Sequence, residues 1–139
     1  MVDLQPQYGD IPYAYPTTLS QPFWDACKED RLIYQYFPLS GKSQFPPGPI
    51  DRYSLSSDFE WRESTGTGEV YSWTTVWRGQ TGDFDVPYVV AIVDLDEGFQ
   101  LLTNIIGCKA GDVAVGMRVQ VEFHEVNEEL TLPYFRPEM

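Results

Sequence analysis

The chain has 139 residues, with 21 acidic against 9 basic side chains for a formal charge of −12, and 42% of it is hydrophobic and 15% aromatic. A chain of this length buries a sufficient core without staples, and its aromatic content excludes disorder over most of its length. The charge repels polyphosphate backbones and anionic membranes, while Cys27 and Cys108, two and far apart, suit reduced thiols better than a disulfide scaffold.

Met1 to Thr18 holds three prolines and three tyrosines, with neither helical nor strand period. It reads as an arm that either lies on its own domain or wraps a partner. No basic-then-apolar leader follows Met1 and no apolar run approaches the ~18 residues of a membrane span, so the expected address is the cytoplasm, with no membrane partner. Ser20-Gln21-Pro22 offers a polar cap and an early helical proline, and a short helix is expected to about Asp30. Phe23, Ala26 and Cys27 share its apolar face, with Trp24 beside them, so Cys27 reads as a buried small hydrophobe rather than a nucleophile.

Arg31 to Phe37 is strand-like, and Pro38 to Asp58 is a knuckled region full of turn formers. Three further strands are expected at Val70 to Trp77, Tyr88 to Leu95 and Phe99 to Ile106. The second is almost continuously apolar, as for a central strand covered on both faces. Leu95-Asp96-Glu97-Gly98-Phe99 is the clearest hairpin turn, and Arg78 to Pro87 suits a flexible lip beside the sheet. Met117, Val119, Val121 and Phe123 alternate with polar residues in a fourth strand, and Leu130 to Phe135 closes the set. The fold class is mainly β, and five strands suit a small, partly open barrel.

A set of short motifs runs through the chain in fixed order: Phe23-Trp24, Leu32-x-x-Gln35, Gly41-Lys42, Gln44-Phe45-Pro46-Pro47-x-Pro49, Glu60-Trp61, Ser64-x-Gly66-x-Gly68-x-Val70-Tyr71-Ser72, Pro87-Tyr88, Leu95-Asp96-Glu97-Gly98 and Gly116-Met117-x-Val119. In this the chain resembles domain-of-unknown-function family 35, over about Gln21 to Pro137. The resemblance implies an N-terminal helix, a rubredoxin-like zinc ribbon and an OB-fold barrel. Residues 1–19 would be the arm, 20–62 the helix and ribbon, and 63–139 the OB-fold. It also implies a role beside thiolases, acyltransferases or steroid side-chain aldolases acting on acyl-CoA.

Where the family carries two Cys-x-x-Cys pairs, this chain has Phe37 and Ser40, then Asp51 and Ser54. One carboxylate and two hydroxyls do not make a closed structural zinc site, so a metal-free ribbon with no cofactor is expected. The large apolar groups of the segment, Tyr36, Phe37, Leu39, Phe45, Ile50, Tyr53, Leu55 and Phe59, are expected to pack together in the metal's stead.

Chemistry for an independent enzyme is missing. His124, the single histidine, sits on the polar face of a strand, and no nucleophile elbow or phosphate-cradling loop occurs. Asp96-Glu97 reads as a solvated turn tip, since carboxylates act as general acids only where burial or a neighbour shifts them. Tyr71, Trp73 and Trp77 offer stacking for a single-stranded nucleic-acid reading, but Val70 to Gly107 holds Arg78 alone against Asp83, Asp85, Asp94, Asp96 and Glu97. The favoured reading is a non-catalytic accessory subunit of a thiolase-like or aldolase partner, with direct acyl-CoA binding as a further alternative. Phosphates would meet Lys42, Arg52 and Arg62, and the partner would meet Tyr13, Tyr15, Phe23 and Trp24.

Overall fold

The structure, a computed structural model, describes residues 3–8, 10–12 and 15–138. Helix α1 spans Gln21–Lys28 and buries Phe23, Ala26 and Cys27. Pro22 stands in its first turn, and the Ser20 hydroxyl does not cap it: it accepts from the Thr17 backbone N–H at 2.9 Å instead.

Strands β1 (Ile33–Phe37), β2 (Lys42–Gln44) and β3 (Glu60–Glu63) form an antiparallel sheet in the order β2-β1-β3. Strands β4 (Thr67–Val76), β5 (Tyr88–Leu95), β6 (Gln100–Ile105), β7 (Arg118–Glu125) and β8 (Thr131–Pro137) close a barrel in the order β4-β5-β6-β8-β7. Five antiparallel strands closed by one parallel contact, Ile105 opposite Phe135, are the OB-fold. The barrel strands lie within a few residues of their sequence expectations. β4 starts three residues earlier than Val70, and a bulge between Val70 and Ser72 lets it turn from one neighbour to the other.

The expectation for β5 needs correction. Val89, Ala91, Val93 and Leu95 are buried inside the barrel, whereas Tyr88, Val90 and Ile92 on the outer face are only half-covered. The strand is central in the barrel, yet one apolar face is left partly open.

The arm lies on its own domain. Leu4 pairs with the segment after β6, donating to Cys108 at 2.7 Å and accepting from Gly107 at 2.9 Å. The Gln7 side chain, buried, exchanges two hydrogen bonds with the Asp85 backbone. That contact and the stack of Phe84 on Tyr88 pin the long β4–β5 loop, so it is a fastened wall rather than a free lip.

Ribbon and barrel meet at the β5–β6 turn. Gly98 holds φ +93°, and the two carboxylates before it are engaged rather than solvated. The Glu97 carboxylate accepts from the Ser64 hydroxyl at 2.6 Å and from the Thr65 backbone N–H at 2.8 Å, while its carbonyl accepts from the Ser43 hydroxyl at 3.0 Å. Asp96 takes both Arg118 guanidinium nitrogens, at 2.9 and 2.7 Å. Gly68 passes so close beneath that a Cβ there would lie 2.2 Å from the Asp94 carbonyl oxygen. Directly behind the turn, Phe99 stacks on Tyr34 at 4.7 Å and meets Phe45 at 6.1 Å. Hydrogen bonds to a charged acceptor are worth about 1.5–3 kcal/mol. Glu97→Ala is therefore expected to destabilise the chain by on the order of 2 kcal/mol, read as a lower denaturation midpoint in urea. An unchanged midpoint would show that the aromatic stack alone joins the two sheets.

Candidate functional site

The four ligand positions implied by the family resemblance come together without a thiol among them. Phe37 is fully buried and packs against Phe59, whose ring in turn meets Trp61 edge-on at 5.6 Å. Asp51, 1% exposed, accepts from the Ser54 hydroxyl at 2.6 Å and from the backbone N–H groups of Tyr53 and Ser54 at 3.0 and 3.2 Å. Burial acts to raise its pKa, but hydrogen bonds from Ser40 and Ser54 and those two N–H groups outweigh it and hold the carboxyl at about 2. Ser40 belongs to the first knuckle and Ser54 to the second, so one carboxylate joins both. Among the described residues no group of three or more His, Cys, Asp or Glu is placed to hold a metal ion.

The expected apolar cluster is only half present. Phe37, Phe45 and Phe59 pack inward, with Phe45 against Phe23 at 5.0 Å. Leu39, Ile50, Tyr53 and Leu55 are instead exposed, at 74, 46, 65 and 71%, because the tight turns that carry them leave no neighbouring layer to cover them. The hydrogen-bonded Asp51 does the joining that was assigned to them.

The three cations do not form one cluster. Lys42 lies 5.6 Å from the Tyr53 ring, next in sequence to Arg52, on the β2 side. Arg62, on β3 at the opposite edge, stacks 3.5 Å from the Tyr36 ring and pairs with Glu60 at 2.6 Å. Of the residues expected to meet a partner, Tyr13 lies outside the described residues. Tyr15 is 88% exposed and Trp24 half-buried. Phe23 is corrected: at 3% exposure between Trp24 and Phe45 it anchors α1 to the core.

The titratable groups singled out by sequence for catalysis are buried or paired. Burial pushes the Cys27 thiol up to about 12, and the Arg118 pair with a hydrogen bond from Thr67 holds Asp96 at about 2. His124 is less free than its polar-face position implied. It contacts the Glu122 carboxylate at 2.7 Å and meets the Tyr134 ring edge-on, while Arg136 takes the other Glu122 oxygen at 2.8 Å. Those two partners, His124 first, hold the Glu122 carboxyl below its usual range.

A cavity of about 480 Å³ lies between α1, the ribbon and the β6–β8 side of the barrel. Phe23, Trp24 and Phe45 stand on one wall and Leu102, Leu132 and Pro133 on the other. Sequence reading missed it because its walls come from segments a hundred residues apart. The signal available was Leu102, an apolar residue at an outward position of an alternating strand.

The architecture matches a solved chain of an Ltp2-ChsH2(DUF35) aldolase at a TM-score of 0.82, with 35% sequence identity, over 90% of this chain and 98% of that one. The chain belongs to the DUF35 family. Within it, residues 61–124 match the profile of the ChsH2 C-terminal OB-fold domain. The chain is also 40% identical, over 83% of its length, to a protein of Thermomonospora curvata described as a probable enoyl-CoA hydratase alpha subunit, of which it spans 36%. It is 36% identical, over 64% of its length, to a DUF35 domain-containing scaffold protein of Methanocaldococcus jannaschii, of which it also spans 64%. The DUF35 chain thus spans about a third of the hydratase subunit and under two thirds of the scaffold protein.

Two outcomes test the Asp51 clasp of this DUF35 chain. A carboxyl held below its ordinary 3.8 stabilises the folded state above that value and loses the contribution as pH falls from about 4 towards 2. The melting-temperature gap between wild type and Asp51→Asn should therefore narrow across that window; a gap independent of pH would refute the clasp. Elemental analysis should find well below one zinc per chain, and one zinc retained against dialysis would refute the metal-free ribbon.

Proposed function

We propose that the chain is a non-catalytic accessory subunit that docks on a thiolase-superfamily enzyme and helps to form or cover its acyl-CoA site. The observation that carries this reading is the likeness over 98% of a ChsH2-type chain found in an Ltp2-ChsH2 aldolase. The chemistry of the chain agrees. Acyl transfer or carbon–carbon cleavage needs a nucleophile or a matched acid and base, and the Cys27 thiol, the histidine and the acidic turn are each buried or already paired. Association needs apolar surface, and the knuckles present Leu39 and Leu55 outward at 74 and 71% exposure, with Tyr15 and Trp24 on the arm-and-helix side.

Direct contact with the CoA phosphates draws less support. Arg62 is committed to Glu60 and Tyr36, leaving Lys42 and Arg52 as the pair available to a phosphate. The nucleic-acid reading fares worse, because Tyr71, Trp73 and Trp77 are exposed but the stretch Val70 to Gly107 sets Arg78 alone against Asp83, Asp85, Asp94, Asp96 and Glu97.

The chain alone is expected to turn over no acyl-CoA thioester and to co-purify with a thiolase-fold subunit whose activity it supports. Trp24→Ala and Leu55→Ser, each tested for folding first, bracket the two surfaces. The one at the interface should cost about 2 kcal/mol, roughly a thirtyfold loss of affinity. Turnover by the purified chain would refute the accessory role, and saturable, salt-sensitive binding of a labelled oligonucleotide would restore the nucleic-acid alternative.

A further inference from the structure

The cavity between α1, the ribbon and the barrel has a composition unlike the rest of the chain. Charged residues make up 22% of the sequence, yet none stands among the residues that line it. Its walls are aromatic, aliphatic and proline-rich, and the outer faces of β5 and β6, where Val90, Ile92 and Leu102 lie, lead towards it. This is the side of an OB barrel, its second and third strands with the loop joining the first two, that holds an extended ligand in other proteins of the fold. Here that side offers no cation to a phosphate.

The walls are also fastened in place. Gln7, which lines the cavity, is bound in both directions to Asp85, and Phe84 is stacked on Tyr88. Phe23 and Phe45 hold the helix and ribbon against each other, and the Thr103 hydroxyl donates to the Pro133 carbonyl at 2.9 Å where β6 and β8 diverge. A pre-formed apolar hollow of a few hundred Å³ with a few convergent polar groups is the usual form of a small-molecule site. The polar groups are present as well. The Asn104 amide and the Tyr88 hydroxyl line the cavity and have no side-chain hydrogen-bond partner among the described residues.

We propose that this cavity binds a neutral apolar molecule bearing an isolated oxygen, and that in the complex it receives the acyl moiety of the thioester rather than its nucleotide end. The second half rests on the accessory-subunit reading; the first half does not. An uncharged hollow gains by taking apolar surface out of water, in proportion to the area buried, and would lose by desolvating a phosphate that finds no cation there. Asn104 or Tyr88 would meet a carbonyl or hydroxyl oxygen, each by one hydrogen bond. Long aliphatic chains and fused rings share this chemistry, and two probes separate them.

The isolated 139-residue chain is titrated with progesterone, a fused-ring ketone, and with 1-dodecanol, a chain alcohol, following tryptophan fluorescence and calorimetry. At least one should bind saturably, and the tighter one identifies ring or chain. Leu102→Glu, at an exposed position that folding tolerates, should weaken binding at least tenfold. Val115→Glu, equally exposed but outside the cavity, should leave it within twofold. Asn104→Ala should weaken the better probe about threefold, and gives a second readout should Leu102→Glu melt early. The proposal is overturned if neither probe saturates, if Leu102→Glu and Asn104→Ala leave binding unchanged, or if Val115→Glu weakens it as much as Leu102→Glu. The measurement needs no partner, so failure to find a thiolase-fold subunit would leave it standing, and failure of probe binding would leave the docking role standing.

Discussion

Everything in this molecule that lies between its two sheets depends on one carboxylate. Glu97 sits in the turn between β5 and β6, at the barrel's edge, and its oxygens reach Ser64 and Thr65 in the segment that leaves the ribbon. Its carbonyl reaches Ser43 on the ribbon's far strand. A two-residue turn thereby fixes β2 and the segment leaving β3 against the same point on the barrel. The neighbouring Asp96–Arg118 pair ties that turn to β7. The pair alone contributes little, since exposed ion pairs are screened, but its two parallel hydrogen bonds fix direction. Tyr34, Phe45 and Phe99 supply the apolar layer beneath, so the polar contacts set the register and the rings supply most of the burial.

The two knuckles of the ribbon are joined by contacts among their own side chains. A zinc ion bound by four thiolates contributes on the order of 10 kcal/mol or more to folding, which no single hydrogen-bonded carboxylate replaces. Two substitutions divide the work. Asp51 with Ser40 and Ser54 retains the link between the knuckles, because a carboxylate accepts several donors at once from both loops. Phe37 adds a fully buried ring against Phe59. The link is closed around an anion, and the flanking hydroxyls and backbone N–H groups have the polarity the anion requires.

How much of this could be read from the sequence follows from the range of each interaction. Alternation along Val119 to Phe123, the apolar run from Tyr88 to Leu95 and the Asp96-Glu97-Gly98 turn are local signals, and the strands they imply stand within a few residues of their places. The helix face of Phe23, Ala26 and Cys27 was equally local. What escaped was set by partners far along the chain. Glu97 looks like a solvated tip until Ser64 is folded over it, 33 residues away. Leu39 and Leu55 look like core until the shortness of their turns puts them outside. The cavity belongs to the same class, since Trp24, Leu102 and Pro133 share no local pattern.

Charge decides what the barrel is suited to hold. An OB-fold is a scaffold, and its shape is shared by binders of quite different molecules, so the lining rather than the fold selects the ligand. Asp83, Asp85, Asp94 and Asp96 lie in the β4–β5 loop, at the end of β5 and in the turn after it, while no charged residue stands among the described residues that line the hollow beside β6. The net charge of −12 discourages a polyanion at long range, and an uncharged apolar floor offers it no compensating contact at short range. Net charge does not affect a neutral molecule, which gains by leaving water for the floor. The barrel geometry is that of the OB-fold, and the side chains on this face favour apolar over anionic contact.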